Sequence, residues 1–251
     1  MYYLYPLGID LCITLRCNAK CPNCVEMCNT RHITGLDYSD SDMTLGQIDR
    51  FIQDAKSIDK PLADWLCITG GEALLHPHLE EITNKLKELV NLGYFGKLLI
   101  NSNMNLPIPL NLQKYISNLS LPKDNPQIHH CNLIHPQDLG GVKQTYQKCI
   151  HHRKPRVVVT YHGVSLCCAA DAYMRLFNMG DMFLDHLPRS MDEFPNMDKV
   201  CQHCPFGSEH MVPFERDRGC PGKGYVVSTI YQEQAQLNMA GRKLVKRYPS
   251  I

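Results

Sequence analysis

Gly8-Ile-Asp-Leu-Cys-Ile-Thr-Leu15 runs straight into Arg16-Cys17-Asn-Ala-Lys-Cys21-Pro-Asn-Cys24, and this passage from apolar run to cysteine loop frames the rest of the chain. The first stretch is too apolar for a loop and alternates too weakly for a surface strand, so it reads as a buried strand. Its loop carries cysteines with three and then two residues between them. Three thiolates so spaced can hold three irons of a 4Fe-4S cluster and leave the fourth iron without a protein ligand. A cluster that only carries electrons normally takes four cysteines, so an open iron implies a substrate or cofactor bound to metal. Taken alone, the triplet also fits part of a zinc site.

Working outward, residues 40–44 offer N-cap chemistry for a helix over 46–55, where Ile48, Phe51, Ile52 and Ala55 recur at helical spacing. Ala63-Asp-Trp-Leu-Cys-Ile-Thr69 reads as a second strand closed by Gly70-Gly71. Residues 78–92 read as a second helix with Leu79, Ile82, Leu86, Leu89 and Val90 on one side, and 97–101 as a third strand. Strands alternating with such helices predict βα units and a parallel sheet, whose active sites lie at the carboxyl ends of the strands. From 105 to 152, Pro107, Pro109, Pro122, Pro126 and Pro136 interrupt every run. Residues 156–161 and 164–168 then read as a hairpin turning at His162-Gly163, expected to begin a second unit. The expected division is 1–147 and 148–251.

With 26 basic and 25 acidic side chains the formal charge is +1, which predicts neither a nucleic-acid nor an anionic-membrane partner. The basic run Arg242-Lys243-Leu-Val-Lys246-Arg247 reads as the solvated end of a helix. The first 14 residues hold no Lys or Arg, so no signal-peptide n-region is present, and no apolar run reaches the length of a membrane span. The cytoplasm is the expected compartment. Thirteen cysteines without a signal peptide, among them the pairs Cys21-Pro-Asn-Cys24 and Cys201-Gln-His-Cys204, favour metal ligation over disulfides.

The triplet after the first strand, Cys67-Ile-Thr-Gly-Gly-Glu-Ala-Leu-Leu-His-Pro77 at the second and Ser102-Asn103 after the third together resemble the radical S-adenosylmethionine superfamily. The resemblance implies an α/β fold, a partial (βα) barrel with a cluster at its open mouth. It makes Cys17, Cys21 and Cys24 the cluster ligands, sets Gly70, Gly71 and Glu72 against the methionyl amino group, and puts Ser102 and Asn103 near the ribose. S-adenosylmethionine would chelate the open iron, and an electron from a donor such as flavodoxin or ferredoxin would release a 5′-deoxyadenosyl radical that takes a substrate hydrogen. Asn23, Ala73 and Met104 depart from the family's aromatic residue, Pro and Gly at those positions.

Cys149, thirteen residues, Gly163, four residues, Cys168, then Cys201 and Cys204 resemble the twitch domain, a shortened SPASM extension. This implies a second, saturated 4Fe-4S cluster held by Cys149, Cys168, Cys201 and Cys204 in a small C-terminal unit of β-hairpin plus helix. A zinc site with the same ligands is the alternative. Cys167 could substitute for Cys168, but the spacing favours Cys168, with Cys167 on the other side of the strand; Cys220 stands in reserve. Cys12 and Cys67 read as small buried residues. Cys28 reads as packing or support near the first loop, and Cys131 is unassigned. Among twelve histidines, His129, His130, His135, His151 and His152 are candidates for substrate contact or proton transfer, against an ordinary surface or core role; Asp171 and Arg175 are equally open.

A saturated cluster beside a radical site can take up an electron, which points to oxidation or epimerisation. The chain starts sixteen residues before Cys17, without room for a leader-binding winged helix, so a small polar metabolite such as a sugar or aminocyclitol is the expected substrate. Modification of a ribosomal peptide is the alternative. An iron-sulfur electron carrier or zinc-binding module is the non-enzyme reading, and Gly70-Gly71-Glu72 argues against both.

Overall fold

The computed structural model describes residues 8–19, 24–28, 41–117, 135–139, 149, 156–204, 229–240 and 247–251. The fold is α/β: five strands form one mostly parallel sheet with helices packed against it. In chain order come β1 (Gly8–Thr14), α1 (Leu45–Lys56), β2 (Ala63–Gly70), α2 (Leu79–Asn91), β3 (Phe95–Ile100), β4 (Arg156–Thr160), β5 (Gly163–Ser165), α3 (Cys168–Leu176), α4 (Asp198–Cys201) and α5 (Thr229–Met239). The strand order is β3-β2-β1-β4-β5, with only β5 antiparallel to its neighbour.

β1 is central, and every one of its residues is buried. Strand geometry sends its side chains alternately to two faces. Ile9, Leu11 and Ile13 join Leu66 and Ile68 of β2, Leu98 and Ile100 of β3 and Val157 and Val159 of β4 in the main core. That core is closed by Ile48, Phe51 and Ala55 of α1 and by Leu79, Ile82, Leu86 and Leu89 of α2. Each such side chain contributes about 1.5–3 kcal/mol on full burial, so this one-sided layer is the main stabilising element. The opposite face carries Asp10 and Cys12, with Asp10 in register with Cys67 on one side and Val158 on the other.

α1 starts where a capping box forms: the Gln47 N–H donates to Thr44 Oγ1 at 3.2 Å and the Thr44 N–H to Gln47 Oε1 at 3.0 Å. Gln47 is itself buried, and its Nε2 donates to the Tyr248 carbonyl at 2.6 Å and the Tyr161 carbonyl at 3.2 Å. The final residues are thereby seated on the first helix. Tyr248 is buried, with its hydroxyl on Asp54 Oδ2 at 2.6 Å.

The hairpin expected to open a second unit belongs to the first sheet, because β4 pairs in parallel with β1 from Gly8↔Arg156 to Cys12↔Thr160. The physical reason lies in Val157-Val-Val159, an apolar run that a strand covered on both faces requires. The boundary after residue 147 falls outside the described residues. A further difference concerns the hairpin's end: β5 stops at Ser165, and Cys168 opens α3 instead of closing a strand. Ala169, Ala170 and Ala172 favour that helix, and Cys167 caps it, its sulfur accepting the Ala170 N–H at 3.4 Å. Around α3 a second cluster gathers Tyr173, Met174 and Leu176 with Val200 of α4 and Tyr231 of α5. No helix among the described residues is long and apolar enough to cross a membrane. Of the basic run near the end, Arg242, Lys243 and Lys246 lie outside the described residues, and Arg247 sits over the Tyr161 ring at 5.3 Å.

Candidate active and metal-binding site

The carboxyl ends of β1, β2 and β3 are adjacent, and the segments that follow them are joined by hydrogen bonds. The Gly71 N–H donates to the Thr14 carbonyl and the Glu72 N–H to the Arg16 carbonyl, both at 2.8 Å. Gly70 has φ +149°, and a Cβ there would lie 2.2 Å from the Thr14 oxygen; a Cβ on Gly71 would lie 2.3 Å from the Arg16 oxygen. The backbone approach that these glycines allow is therefore to the chain's own cysteine loop. Arg16 fastens the same loop through Nε to Asp42 Oδ1 at 3.0 Å and Nη2 to the Leu75 carbonyl at 2.7 Å.

Glu72 is buried, and its carboxylate accepts the Leu74 N–H at 3.0 Å and the Asn103 N–H at 2.6 Å. It acts first as a splice between the ends of β2 and β3. A carboxylate offers about four acceptor positions, so capacity for an ammonium donor is left. Asn103 in turn places its Nδ2 3.8 Å from Cys17 Sγ and 2.7 Å from Asn18 Oδ1. Ser102 Oγ accepts the Met104 N–H at 2.9 Å, and Met104 adopts φ +59°, a left-handed conformation that favours glycine.

Sulfur is concentrated beneath this loop. Cys12, Leu15, Cys28 and Val158 form a small buried cluster, against which Cys17, Cys24 and Cys168 pack. A hydrogen bond from the Cys28 thiol, opposed by burial, brings Cys24 down to about 6, toward the thiolate form that binds metal. Cys28 is pushed up by the same bond and by burial, and Cys12 by burial. Cys28 is thus a hydrogen-bond partner of Cys24. Cys21 lies outside the described residues.

Of the second group that the spacing predicts, Cys149, Cys168, Cys201 and Cys204 are all among the described residues. Cys201 is within electrostatic reach of Cys149, while burial pushes Cys201 up to about 12. Cys167 is within reach of both Cys149 and Cys201, and packs in the same side-chain cluster as Cys204. Cys168 packs on the Cys12–Cys28 side, and burial, then the charges of Glu26, Cys167 and Asp10, push it up. The strand that was expected to alternate Cys167 and Cys168 ends before them, so counting at period two does not apply. Cys220 and Cys131 lie outside the described residues.

Beside the first sulfur group lies a buried ion pair. Asp171 and Arg175 are fully buried, with Arg175 Nε on Asp171 Oδ2 at 2.9 Å and Nη2 on the Glu26 carbonyl at 2.6 Å. Burial, and then the Asp171 charge, push the Glu26 carboxyl well above its ordinary value. Asp10 and Arg156 make a second pair, with Nη2 to Oδ1 at 2.7 Å, on the sheet face turned away from α1 and α2. Sequence reasoning passed over Glu26, Asp10 and Arg156. An Asp within an apolar strand was the available signal for the second pair, since such a charge needs a partner; Glu26 had no comparable signal.

His135 is buried, its Nε2 2.9 Å from His203 Nδ1, and the His203 ring stacks on Phe177 at 3.8 Å. Burial, then His135, hold His203 down at about 4. His135 therefore braces the Cys201–Cys204 loop. His129, His130, His151 and His152 lie outside the described residues. Among the described residues no three His, Cys, Asp or Glu side chains close on a point that would hold a metal ion. The donors present at both sulfur groups are soft thiols, which suit iron-sulfur clusters or zinc. Comparison with known proteins finds no family whose pattern matches the chain and no match to a curated protein.

Proposed function

We propose that the chain is a radical S-adenosylmethionine enzyme, a partial (βα) barrel in which Cys17, Cys21 and Cys24 hold a 4Fe-4S cluster and Cys149, Cys168, Cys201 and Cys204 a second. The observation that carries this reading is the convergence of three segments on one loop: Gly71 and Glu72 hydrogen-bond to its backbone, and Asn103 reaches the Cys17 sulfur. A turn that only closed a strand would not need all three. When bound, the reduced cluster and S-adenosylmethionine supply a carbon-centred radical able to take a substrate hydrogen.

The chain's own residues supply position and protection. Arg16 and Asp42 hold the loop in place; Asn103 presents an amide N–H to a ligand sulfur, a contact that tunes such clusters. Glu72 keeps spare acceptor capacity beside the same atoms. We assign the reaction to oxidation or epimerisation of a small polar metabolite, supplied with electrons by a flavodoxin- or ferredoxin-like donor.

Anaerobically purified, iron-loaded protein given dithionite and S-adenosylmethionine should release 5′-deoxyadenosine, and Cys17→Ala should abolish it. Iron-loaded protein that forms none overturns the proposal. Product analysis against a panel of sugars and aminocyclitols, with a ribosomal peptide as the competing outcome, tests the substrate class.

A further inference from the structure

Directly after Cys24 the chain makes a turn that is fastened to α3. The Met27 N–H donates to the Cys24 carbonyl at 3.0 Å, which closes the turn over Val25 and Glu26. Met27 itself adopts φ +49°, a left-handed conformation that a methionine keeps only where its surroundings fix it. Two contacts from α3 supply that fixing. The buried Met27 side chain belongs to one cluster with Tyr173, Met174 and Leu176, and Arg175 Nη2 donates to the Glu26 carbonyl at 2.6 Å. Arg175 is in turn aimed by Asp171, one helical turn earlier, whose Oδ2 accepts from its Nε at 2.9 Å.

Burying a charge pair costs desolvation that its attraction only offsets, so a fully buried Asp171–Arg175 pair is weak evidence of added stability. What its geometry does fix is the backbone two residues beyond Cys24. Arginine suits that task because its planar fork reaches a carboxylate and a carbonyl at once, which a lysine ammonium on a flexible stem does not. Arg16 and Asp42 hold the entry of the cysteine loop in the same manner. We propose that Arg175 is a positioning residue for Cys24: through the Glu26 carbonyl it holds the exit of the loop against α3, so that the Cys24 thiol keeps its place. This rests on the reading of the loop as the seat of the first cluster, and adds to it a residue from the distant half of the sequence. The loop then takes its full shape only once α3 has folded against it.

The test measures alkylation of each cysteine, by mass spectrometry, in folded, metal-free wild type, Arg175→Met and Leu176→Ala. Methionine keeps an apolar stem and removes the donors, whereas Leu176→Ala loosens the buried face of α3 and leaves the guanidinium in place. Arg175→Met should speed alkylation of Cys24 about tenfold relative to Cys17, the effect of losing one bond from a charged donor. Leu176→Ala should change the two rates together. A ratio in Arg175→Met equal to that of wild type, or no more selective than in Leu176→Ala, overturns the proposal. Hydrogen exchange of wild type, followed by NMR, needs no variant to fold: the Met27 amide should exchange as slowly as the amides of α3, as part of one cooperative unit. Exchange of Met27 at the rate of an open loop overturns the proposal as well. A wild type that takes up no iron removes the functional reading and leaves these metal-free measurements to decide the place of Cys24. An unselective Arg175→Met beside a wild type that does cleave S-adenosylmethionine removes this proposal alone.

Discussion

The Glu72 carboxylate accepts the backbone N–H of Asn103 at 2.6 Å, tying the carboxyl end of β2 to that of β3 while its other oxygen holds Leu74. Replacing Glu72 with Ala leaves two amides without acceptors in a buried place. Stability to urea should fall by about 1–3 kcal/mol, with Glu72→Gln between the two because it retains one acceptor oxygen. Equal stability of the Ala variant and the wild type would show that the splice does not hold.

Gly71→Ala should act on the cysteine loop before it acts on any ligand. The added Cβ would lie 2.3 Å from the Arg16 carbonyl and 2.9 Å from Cys17 Cβ, so backbone must move. Such overpacking costs about 1–3 kcal/mol. The expected outcome is reduced loading of the first cluster with near-native circular dichroism, measured as iron per chain after reconstitution; full loading would contradict it.

Tyr248 offers a contrast, since nothing near it is chemical. Its hydroxyl rests on Asp54 and its ring is buried against α1. Tyr248→Phe should cost about 1.5–3 kcal/mol, the range of a bond to a charged acceptor, and Tyr248→Ala about 3–5 kcal/mol. Chemical denaturation reads both, and metal content of the folded protein should be unchanged.

His186 sets a pH dependence of modest size. Its Nδ1 meets Asp185 Oδ1 at 2.8 Å and its Nε2 meets Glu193 Oε2 at 2.9 Å, and these bonds raise its pKa above 6.5. A raised histidine pKa stabilises the fold fully below 6.5 and loses that contribution as pH rises through the folded value. At 43% side-chain exposure the effect should stay below about 1 kcal/mol. His186→Ala should flatten the stability profile just above pH 6.5; a profile unchanged there would refute the pairing.

The sheet's local pieces were legible because each is written in a short window. Ile48, Phe51 and Ala55 mark α1 by their spacing, Thr44 and Gln47 mark its start, and β1, β2 and β3 stand out as apolar runs closed by turns. Two features were not legible, for different reasons. The pairing of β4 with β1 joins residues 8–12 to 156–160 across the chain, and no local pattern encodes which edge a buried strand will choose. The placement of Cys167 depended on where β5 ends. Ala169-Ala170-Asp-Ala172 was a helix signal available in the sequence, and it was outweighed by the regular cysteine-glycine spacing. At the site, the three converging segments could be read as motifs, but the work of Glu72 and the glycines in holding the cysteine loop needed coordinates.

The central place of β1 also orders events during synthesis. It emerges before the strands that pair with it, and its β2 side is filled once Gly70 has left the ribosome. Its other edge stays open until Thr160 is made, and α1 lacks Tyr248 until later still. An open strand edge is a template for wrong pairing. A nascent chain stalled before β4 therefore displays the cysteine loop beside an unpaired edge, and pairing with β4 is what withdraws that edge from wrong partners.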